Sequence, residues 1–105
     1  RIAGLSELQY LNLKSNQFSE FPLELLKLEG LKHLSLDRNK LSIIPTGIAQ
    51  MQGLEHLDLT SNLLSVLPDE IAALKQLNHL DLTRNKFAVF PKIIGQLKNL
   101  KKLDS

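Results

Sequence analysis

Residues 54–76 read LEHLDLTSNLLSVLPDEIAALKQ, and the spacing of leucine, asparagine and proline in this stretch recurs along the whole chain. The period is 23 residues without insertion, and successive copies begin at Leu8, Leu31, Leu54, Leu77 and Leu100. A fixed period of this length is typical of a solenoid, in which each copy forms one coil and buries its apolar face against its neighbours. We predict one domain over residues 1–105, with full repeats at 8–30, 31–53, 54–76 and 77–99 and part-repeats at 1–7 and 100–105.

Each copy contains a segment that alternates apolar and polar residues, such as Leu57-Asp58-Leu59. Alternation with period two indicates a strand with one buried face, and stacked copies of such a strand form a parallel sheet. A proline follows in every copy, as at Pro45 and Pro68, and proline favours the first turn of a helix. The pattern predicts an α/β solenoid with the sheet on its concave face and short helices on its convex face.

The motif Leu54-x-x-Leu57-x-Leu59-x-x-Asn62-x-Leu64-x-x-Leu67-Pro68-x-x-Ile71-x-x-Leu74 resembles the 23-residue class of leucine-rich repeats. Arrays of this class occur in Scribble-type and Ras-suppressor-type scaffolds and in leptospiral-type bacterial proteins. The resemblance covers nearly the whole chain and implies a right-handed solenoid that takes part in protein–protein interactions. Ser105 departs from it, because the other copies have leucine at that position.

Two sets of residues are expected to serve the structure. An unsatisfied buried amide costs about 1–3 kcal/mol, so the asparagine after each strand should bridge backbone groups of its own and the neighbouring coil. These asparagines are Asn16, Asn39, Asn62 and Asn85. Phenylalanine replaces leucine or isoleucine at four apolar positions and is predicted to pack in the core, at Phe18, Phe21, Phe87 and Phe90.

The polar strand positions should project from the concave sheet and are the best candidates for binding. Neighbouring strands lie about 4.8 Å apart, so the histidine of each repeat should form a ladder beside a column of aspartates. We hypothesise that binding here depends on pH between about 5 and 7, where histidine titrates. The candidate partner-binding residues, including the rim, are Tyr10, His33, Ser35, Asp37, Arg38, His56, Asp58, Thr60, Leu63, His79, Asp81, Thr83 and Arg84.

A metal site is the sharper alternative for this cluster. His56, His79, Asp58 and Asp81 supply the nitrogen and oxygen ligands that zinc or nickel accepts. Strand spacing makes a tetrahedral shell awkward, however. A solvated polar face without a cofactor or metal is the favoured interpretation.

Composition and charge disfavour several other classes. The formal net charge is +2 with interspersed signs, which argues against a nucleic-acid partner, and no apolar run is long enough for membrane insertion. The chain has no cysteine. His79, Asp81 and Thr83 stand on one open strand without an oxyanion site or water exclusion, so we predict no enzymatic activity. The compartment stays open between cytoplasm and, for a bacterial protein, the cell surface or exterior.

The sequence therefore favours a module that binds another protein, with an architectural or self-assembling segment as the alternative. Four strands of about 12 Å offer a few hundred Å², below the roughly 800 Å² per partner of standard interfaces, so we expect the chain to belong to a longer array. Uncapped ends or edge strands predict homo-oligomers. The apolar end residues are Ile2, Leu5, Leu8, Leu97, Leu100 and Leu103.

Overall fold

The computed structural model describes residues 8–104, and the side chains of residues 8–101. Its sheet has five parallel strands in the order of the sequence. Every strand pair joins residues 23 apart, for example Leu34 with Leu57 and Leu57 with Leu80. The strands are β1 (Tyr10–Asn12), β2 (His33–Ser35), β3 (His56–Asp58), β4 (His79–Asp81) and β5 (Lys102–Asp104). The predicted sheet is confirmed; the predictions for residues 1–7, Ser105 and the Leu103 side chain lie outside the described residues.

A short helix follows the proline of each repeat on the opposite side of the coil. Pro68 caps the helix with an extended backbone, and the Ile71 amide donates to the Pro68 carbonyl at 3.1 Å. The helices are 3₁₀ rather than α, because only one turn fits before the chain returns to the sheet. They are η1 (Leu23–Lys27), η2 (Thr46–Gln50), η3 (Asp69–Ala73) and η4 (Lys92–Gln96). No helix in the described part of the chain is long and apolar enough to cross a membrane.

The core is a column of leucine and isoleucine from successive coils. Leu34, Leu57 and Leu80, at the strand centres, are fully buried, and so are Ile71 and Leu74 behind them. Burial of each such side chain contributes roughly 1.5–3 kcal/mol. The interior thus requires neighbouring coils, since the inward side chains of one coil pack against those of the next.

The phenylalanines do not all pack as predicted. Phe21 is buried, and Phe18 and Phe87 are partly buried against the core. The prediction is wrong for Phe90, which is 48% exposed. Its counterparts Phe21 and Ile44, at the same position of earlier repeats, are buried.

A left-handed residue ends the extended segment of each repeat. Ser61, for example, has φ of 58°, and its amide donates to the Thr83 carbonyl of the next coil at 2.8 Å. This conformation disfavours most side chains, and the sequence gives no glycine signal for it. The left-handed residues are Ser15, Gln17, Arg38, Ser61 and Arg84.

The asparagine ladder joins successive coils. Asn62 Oδ1 accepts from the Leu41 amide at 3.0 Å, while its Nδ2 donates to the carbonyls of Leu36 and Leu59, each at 3.0 Å. Asn39 and Asn85 repeat the arrangement. Among the described residues, no buried side-chain nitrogen or oxygen lacks a partner. The predicted bridging role is confirmed for these three.

Asn16 differs from the other members of the ladder. It is exposed, and its side chain donates to the Lys14 carbonyl of its own turn at 3.2 Å. The Asn16 side chain therefore contributes less to stability than the buried asparagines at the same repeat position. This difference makes Asn16 a matched control for the buried ladder.

We expect Asn62→Leu to lower the free energy of unfolding by about 3 kcal/mol, although leucine is more hydrophobic, because the Leu41 amide loses its acceptor in a buried site. Asn16→Leu should cost well under half of that. Urea unfolding followed by circular dichroism measures both. Equal losses for the two variants would contradict the assigned role of the ladder.

Candidate functional site

Four aromatic side chains form a continuous stack on the concave sheet. The ring centroids of Tyr10 and His33 are 4.1 Å apart, those of His33 and His56 are 4.0 Å apart, and those of His56 and His79 are 4.0 Å apart. The first two pairs are stacked and the third is tilted by 31°. The predicted ladder is present because parallel register places residues 23 apart side by side.

Two aspartates lie beside the stack, at the ends of β3 and β4. Asp58 Oδ1 accepts from the amide of Thr60 at 3.0 Å and from its hydroxyl at 2.7 Å. Asp81 makes the same two contacts with Thr83. Each carboxylate is thereby held in place by the turn that follows its strand. These four candidates are brought together, and all are partly exposed.

Ser35 does not belong to the exposed surface, contrary to the sequence prediction. It is 7% exposed, and its Oγ lies 3.1 Å from Nε2 of His33. Its counterparts Asp58 and Asp81 are longer and reach solvent. A serine at this position is too short to project past the neighbouring imidazole.

The rim candidates surround this face without joining the stack. Arg38 and Arg84 are exposed in the left-handed positions, and Asp37 is partly exposed just before Arg38. Leu63 is exposed, as expected. Both arginines therefore lie where the chain leaves the sheet, at the border of the candidate site.

The geometry of the face determines the charge of its histidines. Burial lowers the pKa of His33, with His79 acting in the same direction and Asp58 against it. Burial also lowers the pKa of His56, assisted by the two neighbouring imidazoles and opposed by Asp58 and Asp81. Closely spaced rings cannot all carry a proton without repulsion. These two members of the stack are therefore predominantly neutral at pH 7.

The carboxylate of Asp81 is stabilised in its charged form. Burial acts to raise its pKa, but the hydrogen bonds from Thr83 and Thr60, together with His79, outweigh that effect and hold the pKa below its ordinary value. The concave face therefore combines the neutral rings of His33 and His56 with a fixed negative charge.

The residues that suggested a metal site are not grouped as metal ligands. Among the residues that the structure describes, no group of three or more histidine, cysteine, aspartate or glutamate side chains is placed to hold a metal ion. Nothing in this arrangement favours the metal alternative.

A second exposed surface, which was not predicted from the sequence, lies on the flank between the sheet and the helices. In each repeat the residue two positions before proline projects into solvent. We call these residues the flank column; they are Glu20, Ile43, Val66 and Val89. A signal existed, because three of the four are β-branched apolar residues at a position that the repeat motif leaves free.

The comparisons with known proteins agree with this architecture. The family model described as leucine-rich repeat region matches residues 1–105. The chain belongs to the leucine-rich repeat family. A search of curated proteins gives no significant match.

Three solved structures illustrate what this leucine-rich repeat chain is similar to. A leucine-rich repeat protein of Leptospira interrogans is 44% identical with a TM-score of 0.90. An internalin of Listeria monocytogenes is 28% identical with a TM-score of 0.83, and a plant peptide hormone receptor, solved in complex with RGF2, is 32% identical with a TM-score of 0.82. Each match covers 98% of this chain, which spans 26%, 29% and 17% of those proteins respectively.

The histidine stack should make stability depend on pH. The pKa values of His33 and His56 are lowered from 6.5, so the unfolded chain takes up protons first as the pH falls. We expect the free energy of unfolding to be constant above about pH 7 and to decrease as the pH falls below 6.5. A further decrease should follow below 3.8, the ordinary pKa from which that of Asp81 is lowered.

Urea unfolding at closely spaced pH values measures this dependence, and proton NMR of the chain's three imidazoles reports their titration in the folded state. His56→Gln removes the central ring and should reduce the decrease between pH 6.5 and 5. The same slope in the variant and the parent chain would show that the stack is not the cause.

Proposed function

We propose that the chain is a non-catalytic protein-binding module that contacts its partner through the concave face and rim. Leucine-rich repeats act generally as protein-interaction modules, and the plant receptor similar to this chain was solved in complex with RGF2. The observation that carries the proposal is the aromatic stack beside two oriented carboxylates. These side chains are partly exposed and contribute little to the buried leucine column.

The face is suited to binding because its polar groups are already ordered. The hydroxyls of Thr60 and Thr83 donate to Oδ1 of Asp58 and Asp81 respectively, and both carboxylates are partly exposed to a partner. The stacked rings of His33 and His56 hold one another in place. Ordered side chains lose less conformational entropy on binding than mobile ones, so each contact contributes more to affinity.

The rim enlarges the area available to a partner. Four to five short strands alone provide a few hundred Å², below the roughly 800 Å² of a standard interface. Arg38, Arg84 and the exposed Leu63 border the strands and extend the surface. Arginine is enriched among residues that dominate binding energy, and Leu63 supplies an apolar contact.

A catalytic role is not supported by the contacts of the polar residues. Nucleophilic catalysis by a hydroxyl requires a hydrogen bond to a base that removes its proton, commonly histidine. Thr83 instead donates to Asp81, at 2.7 Å, and Thr60 donates to Asp58. The hydroxyls thus orient carboxylates, which fits binding better than chemistry. We place the chain among non-enzymatic modules on this basis.

Binding should respond to pH within the same region. The groups that surround His56 are His33, His79, Asp58 and Asp81. Protonation of the stack adds positive charge beside the carboxylates and weakens their attraction for a cationic partner group. Since the pKa values of His33 and His56 are lowered, the change should be centred below 6.5 rather than across the whole range from 5 to 7.

Charge reversal separates recognition from a purely architectural role. We expect Asp58→Lys/Asp81→Lys to abolish capture of proteins that the immobilised parent chain retains from a cell lysate, as identified by mass spectrometry. Glu24→Lys/Glu70→Lys changes the charge equally on the exposed convex helices η1 and η3 and should retain the same proteins.

Circular dichroism spectra that match the parent chain would show that both variants fold. Identical sets of captured proteins for the two variants would contradict recognition through the concave face and support the architectural alternative. The control variant also accounts for nonspecific effects of adding four positive charge units, since both pairs convert two acidic residues to lysine.

A further inference from the structure

The flank column exposes more apolar surface than folding requires. Ile43 is 67% exposed, Val66 is 61% exposed and Val89 is 74% exposed. The chain is extended between the strand turn and the proline, and it directs two successive residues outward, such as Ser42 and Ile43, before Ile44 enters the core. A polar residue would suit this position equally well in a single coil. Stacking of the repeats turns single exposed side chains into a continuous apolar ridge.

Within the described residues, the two ends of this ridge carry opposite charge. At one end, Val66, Val89 and Phe90 line a groove of about 490 Å³, bordered by Lys86 and Lys92, with Asp69 as its one acidic lining residue. At the other end, Glu20 lines a groove, also of about 490 Å³, together with Phe21, Leu23, Ile43 and Pro45. The first groove has an excess of positive charge and the second is acidic. Each end is therefore complementary to the other.

We propose that the flank column binds a second copy of this chain in a twofold-symmetric dimer with the two columns antiparallel. An isologous contact requires the twofold axis to lie in the interface. An axis along the column would bring Glu20 against Glu20 of the other copy. An axis perpendicular to the column, running from the concave to the convex side, instead brings Glu20 of each copy against Val89 of the other. The second arrangement is the one that the charges favour.

In the antiparallel register, both ends and the centre of the flank column meet complementary residues of the second copy. Glu20 enters the groove between Lys86 and Lys92 of the second copy, and Ile43 of each copy meets Val66 of the other. Apolar side chains fill the centre, while the charged pairs lie at the periphery, where they select the register more than they add affinity. Each contact occurs twice because of the symmetry.

The area of the ridge sets the strength of the dimer. A few half-exposed apolar side chains per copy provide several hundred Å², which is below the standard interface of about 800 Å² per partner. We therefore expect a weak, concentration-dependent dimer with a dissociation constant on the order of 100 μM. The surface does not overlap the concave face, and both concave faces lie on the same side of the dimer. The inference is thus independent of the proposed partner binding.

Sedimentation velocity of the 105-residue chain between about 10 μM and 1 mM tests the dimer. We expect a monomer at the low end and a closed dimer at the high end, without larger species. Val66→Glu places charge at the centre and should leave a monomer throughout. Circular dichroism establishes that this variant folds, which its exposed position in the parent chain favours.

A charge exchange tests the register. Glu20→Lys alone and Lys86→Glu/Lys92→Glu alone should each weaken association at least fivefold, and their combination should restore it. A matched control in the exposed segments that follow the helices, Glu29→Lys combined with Lys75→Glu/Lys98→Glu, should leave association unchanged.

Three results would overturn the inference. A monomer at 1 mM would show that the flank does not self-associate. Oligomers that grow beyond the dimer and persist in Val66→Glu would indicate association through the solenoid ends or edge strands instead, since head-to-tail contacts do not close. Failure of the charge exchange to restore association would exclude the antiparallel register.

Discussion

The hydrogen bonds of the asparagine ladder fix the spacing on which the rest of the molecule depends. A coil of 23 residues has little interior of its own, so its leucines are buried only when the next coil lies directly against them. Asn39, Asn62 and Asn85 couple each turn to the preceding coil, with Oδ1 accepting a backbone amide and Nδ2 donating to carbonyls of both coils. The left-handed residue just before each asparagine turns the chain so that the amide enters the interior. The backbone turn and the packing of the core therefore depend on each other.

Strict register in the core has a chemical consequence on the surface. Identical positions of successive repeats must lie side by side. A residue that recurs therefore forms a column, even where its side chains do not favour contact with one another. Imidazoles tolerate this because neutral rings stack, and burial, assisted by the neighbouring imidazoles, lowers the pKa values of His33 and His56. The aspartates tolerate it because Thr60 and Thr83 supply hydrogen bonds to each carboxylate. The concave face is thus polar, ordered and partly charged at the same time.

The same register creates a different surface on the flank. There the repeated residue is apolar, and repetition produces a ridge with grooves rather than a charged ladder. The two surfaces face different directions, so occupation of one need not affect the other. A weak contact through the flank would present two concave faces together and raise the avidity for a partner with more than one binding site. In this way a solenoid offers separate surfaces for recognition and for association.

Much of the fold and the outline of the site could be predicted from the sequence, because the period of 23 residues determines which side chains lie next to one another in successive coils. It determined the parallel sheet, the buried leucine column, the asparagine bridges and the alignment of His33, His56 and His79. Only the tertiary structure decided which members of a column behave differently. Ser35 is buried because its side chain is shorter than that of Asp58, and Phe90 is exposed although Phe21 and Ile44, at the same repeat position, are buried. The 3₁₀ helices, the left-handed residues without glycine and the threonine–aspartate contacts also appear only there. A repeat motif specifies neighbours, but burial and hydrogen bonding depend on the size and orientation of the side chains that those neighbours carry.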